Sequence, residues 1–173
     1  IAAAAGAGVS KTIVVTGAHS PKVGEHAVKA LGPGSTAVQD PPLGTGHAVR
    51  AAEGALAGFD GDVVVLYGDA PFVTAARVEE MFALRAAKNA LVVLAFEAAD
   101  PTGYGRVVRG GDGSLERIVE HRDASEEERR NKLCNSGVMC ADAKTLFQLL
   151  SQVKNENAKQ EYYLTDVVGL ARK

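Results

Sequence analysis

The stretch DVVVLYGD, residues 62–69, decides the fold. Val63, Val64, Val65 and Leu66 run without a polar break, so neither face of a strand formed here would be polar. A strand apolar on both faces belongs in the middle of a parallel sheet covered on both sides. The run closes on Tyr67, Gly68 and Asp69, so a carboxylate stands where the strand stops. In open α/β sheets ligands bind beyond the carboxyl ends of the strands. The rest of the chain must say what flanks this strand and what gathers at its end.

Upstream, KTIVVTG (11–17) reads as a β-branched strand ending in glycine. PKVGEHAVKAL (21–31) reads as a helix with Pro21 at its start. STAVQD (35–40) is a second strand, and GHAVRAAEGALAGF (46–59) a helix with Ala48, Ala52, Ala55, Leu56 and Phe59 on one face. Downstream, TAARVEEMFALRAAK (74–88) is a helix with Thr74 as N-cap, and ALVVLAFEA (90–98) is a strand. The order β-α-β-α-β-α-β predicts an α/β fold with a mostly parallel sheet and helices on both faces.

The pattern then changes. GRVVRG and SLERIVEH flank GDG like a hairpin. In SEEERRN, Ser125 stands three residues before Glu128, a capping-box spacing that predicts a short solvated helix. LCNSGVMC reads as a further strand, ADAKTLFQLLSQV as a helix and EYYLTDVVGLARK as a closing helix. The opening IAAAAGAGVSK resembles the tail of a helix and has no basic segment of the kind that starts a signal peptide.

A chain of 173 residues predicts one domain, and 46% hydrophobic residues supply its core. A net charge of −2 gives no electrostatic footprint for nucleic acid. No apolar run approaches the ~18–20 residues of a membrane span. Cys134 and Cys140 lack metal-site spacing and read as small core residues of a reduced, cytoplasmic protein.

Polar groups and glycines converge on the carboxyl ends of these strands. Asp69 suits a Mg²⁺ ligand, since Mg²⁺ takes one or two carboxylates plus substrate phosphates; it equally suits a turn or N-cap. Gln39 carries a donor and an acceptor on one planar amide, which fits a pyrimidine edge, or is an ordinary exposed glutamine. Gly44, Gly46, Gly103 and Gly105 let backbone approach a ligand, or make turns. Asn135 and Glu120 can bond sugar hydroxyls, or cap and solvate. His47 reads as a packed or helix-start residue rather than a base.

LGTGHA, YGD-P, DPTGYGR, VEH-DA, N-SGV and EYYLTD occur here in the order seen in bacterial UDP-N-acetylglucosamine pyrophosphorylases, which the chain resembles from about residue 10 onward. In that family they form the N-terminal half of a bifunctional protein with an acetyltransferase domain. The resemblance implies a Rossmann-like nucleotidyltransferase joining UTP and N-acetylglucosamine 1-phosphate for cell-envelope precursor synthesis. It implies that Gln39, Gly44 and Thr45 hold the uracil, and that Tyr67 and Gly68 line the nucleotide site. It assigns Mg²⁺ to Asp69 and the amino sugar to Gly105, Glu120, Asn135, Tyr163 and Thr165. It also implies a homotrimeric full-length protein, assembled through the acetyltransferase domain.

Three family features find no match in these residues: the Gly-rich loop with its arginine and lysine, the second Mg²⁺ ligand (an asparagine) and the acetyltransferase domain. The expectation is therefore a partial nucleotidyltransferase domain over 1–173, lacking the family's first strand. That strand would lie between TIVVTG and DVVVLYG, so a slot is expected between those two segments. A thymidylyl- or guanylyltransferase, and a catalytically inactive UDP-sugar-binding module, are the rival readings.

Overall fold

The computed structural model describes residues 1–172. Helix α1 (Ala2–Gly6) lies against the later helix at Ala75, where a Cβ on Gly6 would come within 2.9 Å of the Ala75 Cβ. Strand β1 (Val14–Gly17), helix α2 (Pro21–Leu31) and strand β2 (Thr36–Gln39) follow. β1 and β2 pair in parallel, with Val15 opposite Ala37 and Gly17 opposite Gln39. Pro21 stands at the first turn of α2, where its missing N–H costs nothing.

Helix α3 is shorter than the sequence predicts. It spans Thr45–Ala51 and gives way to a 3-10 turn at Gly54–Leu56. Gly54 and Gly58 interrupt the apolar face, and Gly58 takes a φ of +74° that ends helical propagation. Strand β3 (Asp62–Val65) and helix α4 (Ala75–Ala86) come next. Thr74 caps α4, its hydroxyl accepting the Arg77 N–H at 3.3 Å. Strand β4 (Leu91–Glu97), the hairpin β5 (Arg106–Arg109) and β6 (Leu115–Val119), and helix α5 (Glu126–Arg130) follow. α5 carries the expected capping box, with Glu128 N–H on the Ser125 hydroxyl at 3.2 Å and Ser125 N–H on the Glu128 carboxylate at 2.8 Å. The chain ends in β7 (Leu133–Asp142), α6 (Ala143–Leu150) and α7 (Asp166–Ala171). EYYLT is a loop and not helix, because its backbone bonds elsewhere, as described below.

The class is α/β. The parallel pair is β1–β2, and every pairing in the large sheet is antiparallel, with β7 running against β3, β4 and β5. β7 pairs antiparallel with β3 through Val64 opposite Cys140, and antiparallel with β4 through Val92 opposite Cys140. It therefore lies between two strands that the sequence order alone would set side by side. β5 also meets β7, with Arg106 opposite Cys134, and β6 extends that side. Val138 and Cys140 pack with Met81 of α4 on one side. Met139 and Ala141 pack with Leu146, Leu150 and Val167 on the other. Both cysteines are free and buried, and burial pushes the Cys140 thiol up to about 12, which leaves it inert at neutral pH. Among the described residues no helix is long and apolar enough to cross a membrane.

The slot expected between TIVVTG and DVVVLYG is present. β1 and β2 form their own two-stranded sheet, and β3 lies at the edge of the larger one. Between them runs a cleft of about 960 Å³, with Val14 and Val15 on one wall and Val63 and Val65 on the other. Tyr67, Gly68 and Asp69 line the same cleft beyond the end of β3.

Candidate nucleotide-sugar site

The β2–α3 loop is fixed from a distance. Tyr162 N–H donates to the Leu43 carbonyl at 2.8 Å, and Gly46 N–H donates to the Tyr162 carbonyl at 2.7 Å. Leu164 N–H donates to the Thr45 hydroxyl at 3.0 Å, a contact spanning 119 residues of sequence. Glycine is required at position 44. Its φ is +105°, and a Cβ there would stand 2.7 Å from the Tyr162 carbonyl oxygen and 2.8 Å from the Glu161 Cβ. The close approach first read as room for a ligand thus also seats the loop on EYYLT. Gln39 belongs to the same corner: its amide nitrogen lies 2.9 Å from the Gly44 carbonyl oxygen and 3.2 Å from His47 Nδ1.

Tyr67 stands between this loop and the opposite wall. Its ring lies where a side chain on Gly137 would go; a Cβ there would come within 2.7 Å of the ring. Gly137 has a φ of +85°, so two separate constraints demand glycine. Burial pushes the Tyr67 phenol up; a hydrogen bond with Thr45 opposes that, and the nearby carboxylates of Glu120 and Asp69 add to it. The phenol stays protonated at neutral pH and is a hydrogen-bond donor there.

The opposite wall comes from the large sheet. Glu120 follows β6, and its Oε1 accepts the Thr165 hydroxyl at 3.0 Å. A Cβ on Gly105 would stand 3.4 Å from this carboxylate, so the glycine leaves its face open. Asn135 N–H donates to the Gly105 carbonyl at 2.9 Å, and its side-chain oxygen accepts the Gly137 N–H at 3.1 Å. Thr165 is buried and acts through Glu120. Tyr163 is buried too, and burial, with Asp123, Glu120 and Glu161 nearby, pushes its phenol up to about 12. Burial raises the Asp166 carboxyl, with Glu120 and Asp123 adding repulsion. The wall is therefore rich in acceptors.

The structure brings Gln39, Gly44 and Thr45 together on one side, Gly105, Glu120, Asn135 and Thr165 on the other, and Tyr67 between them. Gly68 and Asp69 are exposed beyond β3, and no described side chain bonds the Asp69 carboxylate. Among the described residues no group of three His, Cys, Asp or Glu could hold a metal by itself. A lone exposed carboxylate at the cleft fits a Mg²⁺ ion whose other ligands are phosphates and water. Sequence reasoning gave no role to Gly137 or the Tyr162 backbone, and read His47 as a packed or helix-start residue. The glycine in NSG was the one visible signal, since glycine in a strand marks a bulge or a close approach.

A family model for nucleotidyl transferases matches residues 1–171. The chain is 56% identical over 171 residues to the bifunctional protein GlmU of Caulobacter vibrioides, which covers 99% of this chain and 37% of that protein. It is 54% identical over 172 residues to GlmU of Maricaulis maris, covering 99% and 38%. The chain thus spans less than two-fifths of the length of these curated relatives. A UDP-glucose pyrophosphorylase complexed with UDP-glucose superposes with a TM-score of 0.69 at 20% identity, over 99% of this chain and 73% of that one. An apo-UDP-glucose pyrophosphorylase superposes with a TM-score of 0.72 at 19% identity, over 98% and 72%. The architecture is that of these pyrophosphorylases, and the chain belongs to the nucleotidyl transferase family.

Proposed function

We propose that this chain holds the substrates of an enzyme that joins UTP and N-acetylglucosamine 1-phosphate, giving UDP-N-acetylglucosamine and pyrophosphate. The observation that carries the reading is the Thr45–Leu164 contact, which ties the β2–α3 loop to the segment whose Thr165 bonds Glu120 on the opposite wall. The likeness to the GlmU proteins, over nearly all of this chain, supports the same substrates. Gln39, Gly44 and Thr45 receive the uracil. Glu120 and Asn135 accept from or bond the amino sugar, and Gly105 gives it access to the Glu120 carboxylate. Two free cysteines suit a reducing compartment, the cytoplasm.

The reaction needs no general base. A phosphate monoester has a second pKa near 6, so its oxygen is a nucleophile at neutral pH. That oxygen attacks the α-phosphorus of UTP in line; the new P–O bond forms as the bond to the β-phosphate bridge breaks, and pyrophosphate leaves with the electron pair. The chain's part is to align two anions and exclude water between them. Mg²⁺ at Asp69 supplies charge neutralisation on the phosphates when bound.

One observation favours a second reading for the 173 residues alone. Among the described residues that line the cleft, Lys11 has the one cationic side chain, and its ammonium bonds the Ala55 carbonyl. A UDP-sugar-binding module without turnover fits that. Pyrophosphate release from UTP and N-acetylglucosamine 1-phosphate, measured for residues 1–173 and for the intact protein at its full encoded length, decides between them. Asp69→Asn there should cut the rate at least roughly a hundredfold with unchanged thermal unfolding, in line with the loss of a charge-stabilising group. Turnover within about tenfold of wild type would remove Asp69 from the metal site.

A further inference from the structure

Gln39 looks ambiguous as a base reader, because an amide offers a donor at one end and an acceptor at the other. The structure removes the ambiguity. The amide atom 2.9 Å from the Gly44 carbonyl oxygen must be the nitrogen, since two oxygens would repel there. The same nitrogen lies 3.2 Å from His47 Nδ1. An amide nitrogen only donates, so Nδ1 accepts, and the imidazole carries its proton on Nε2. Both N–H groups of Gln39 are then spent inside the protein. What remains for a ligand is Oε1, an acceptor.

We infer that His47 is the positioning residue that sets the choice of base, by pinning the Gln39 amide with its oxygen toward the ligand. One hydrogen bond, to Gly44, would leave the amide free to swing about it; the second fixes its plane. An outward acceptor matches a base edge bearing a ring N–H, as in uracil. It repels cytosine, whose corresponding ring nitrogen is itself an acceptor. His47 is held in turn. Its ring centroid lies 6.4 Å from that of Tyr162, whose backbone bonds Leu43 and Gly46 on either side of the loop. The inference rests on the uridylyl-transfer reading and adds to it a residue that need not touch the ligand.

The test is the preference for UTP over CTP, as the ratio of kcat/KM values in the intact protein with N-acetylglucosamine 1-phosphate. His47→Leu removes the acceptor and should lower the ratio roughly tenfold, the cost of misreading one hydrogen bond. His47→Asn places Oδ1 where Nδ1 stood and should keep most of the preference, whatever it does to the rate. In a Gln39→Ala background, His47→Leu should change the ratio no further. A His47 that merely packs would lower both substrates together and leave the ratio alone. That result in His47→Leu, or in His47→Ala if the leucine variant does not fold, overturns the inference while uridylyl transfer stands. A wild type that uses UTP and CTP equally overturns the inference and the base assignment together.

Discussion

The β1–β2 pair and the sheet centred on β7 are made of similar residues and have different interiors. β1 and β2 are rich in Val and Thr, yet of their residues only Thr16 is buried, and Val38 is 58% exposed. In β7, Val138 and Cys140 are fully enclosed. The difference is one of partners. β7 is bonded along both edges and covered on both faces, whereas β1 is bonded along one edge and faces the cleft with the other. Apolar, β-branched sequence specifies a strand; a core needs neighbours on every side. On the proposed function the division is functional as well: Gln39 and the β2–α3 loop that would take the base hang from the small sheet, and Glu120 and Asn135, which would take the sugar, stand on the large one.

The contrast has a large expected signature in amide exchange. Protection of Val138 through Ala141 should exceed that of Val14 through Gly17 by about a thousandfold or more, because local opening of the two-stranded unit exposes little apolar surface. Comparable protection would break the comparison outright. Next comes Leu146→Ala, beneath β7, where the side chain is 1% exposed. It should cost about 2–5 kcal/mol by denaturant unfolding, through lost burial and the cavity left behind. A cost below about 1 kcal/mol would mean that the large sheet is as loosely packed as the small one.

A smaller effect sharpens the functional half. Asn135→Ala strands the Gly137 N–H and, on the proposed function, a polar group of the sugar, at about 1–3 kcal/mol. KM for the sugar phosphate should rise roughly tenfold, with that for UTP changed far less. Gln39→Ala should show the reverse bias. Equal effects on both substrates would end the division of labour between the two sheets. The smallest change is expected at Val38→Ala, where the exposed side chain should move stability by no more than about 0.5 kcal/mol.

Much of the fold was legible because it is written locally. Thr74 and Ser125 mark helix starts through contacts three residues long, and both caps form. GDG marks the hairpin turn between β5 and β6. The unbroken apolar run at 63–66 marked β3 as a strand, but not as the central parallel strand it suggested: β3 lies half-buried at the edge of the large sheet, antiparallel to β7, because its other edge faces the cleft. The slot between β1 and β3 followed from the fold that the motifs implied. Strand direction was less legible. Nothing in LCNSGVMC says that it returns antiparallel between β3 and β4, since a doubly buried strand looks the same in either direction. Asp69, Gln39, Glu120 and Asn135 stood out by their residue types at strand ends and the motif resemblance gave them roles, while the bonds that join them escaped. Thr45 to Leu164 and Tyr67 on Gly137 are pairings at long separation, with no periodicity to betray them. His47 sits in plain view as a helix-start histidine, and only the position of the Gly44 carbonyl reveals its hold on Gln39.

The place of β7 also dictates an order of events during synthesis. β3 and β4 leave the ribosome early, and each must wait for the same late strand before its edge is satisfied. Until residues 133–142 emerge, two apolar segments have no sheet to join, and such nonlocal pairing is slow and open to aggregation. A nascent chain halted after Arg130 should therefore stay sensitive to protease and engage chaperones. One released after Leu150, with α6 in place to cover β7, should become resistant in its β3–β7–β4 region. Residues 133–142 thus set the moment at which residues 62–97 can fold.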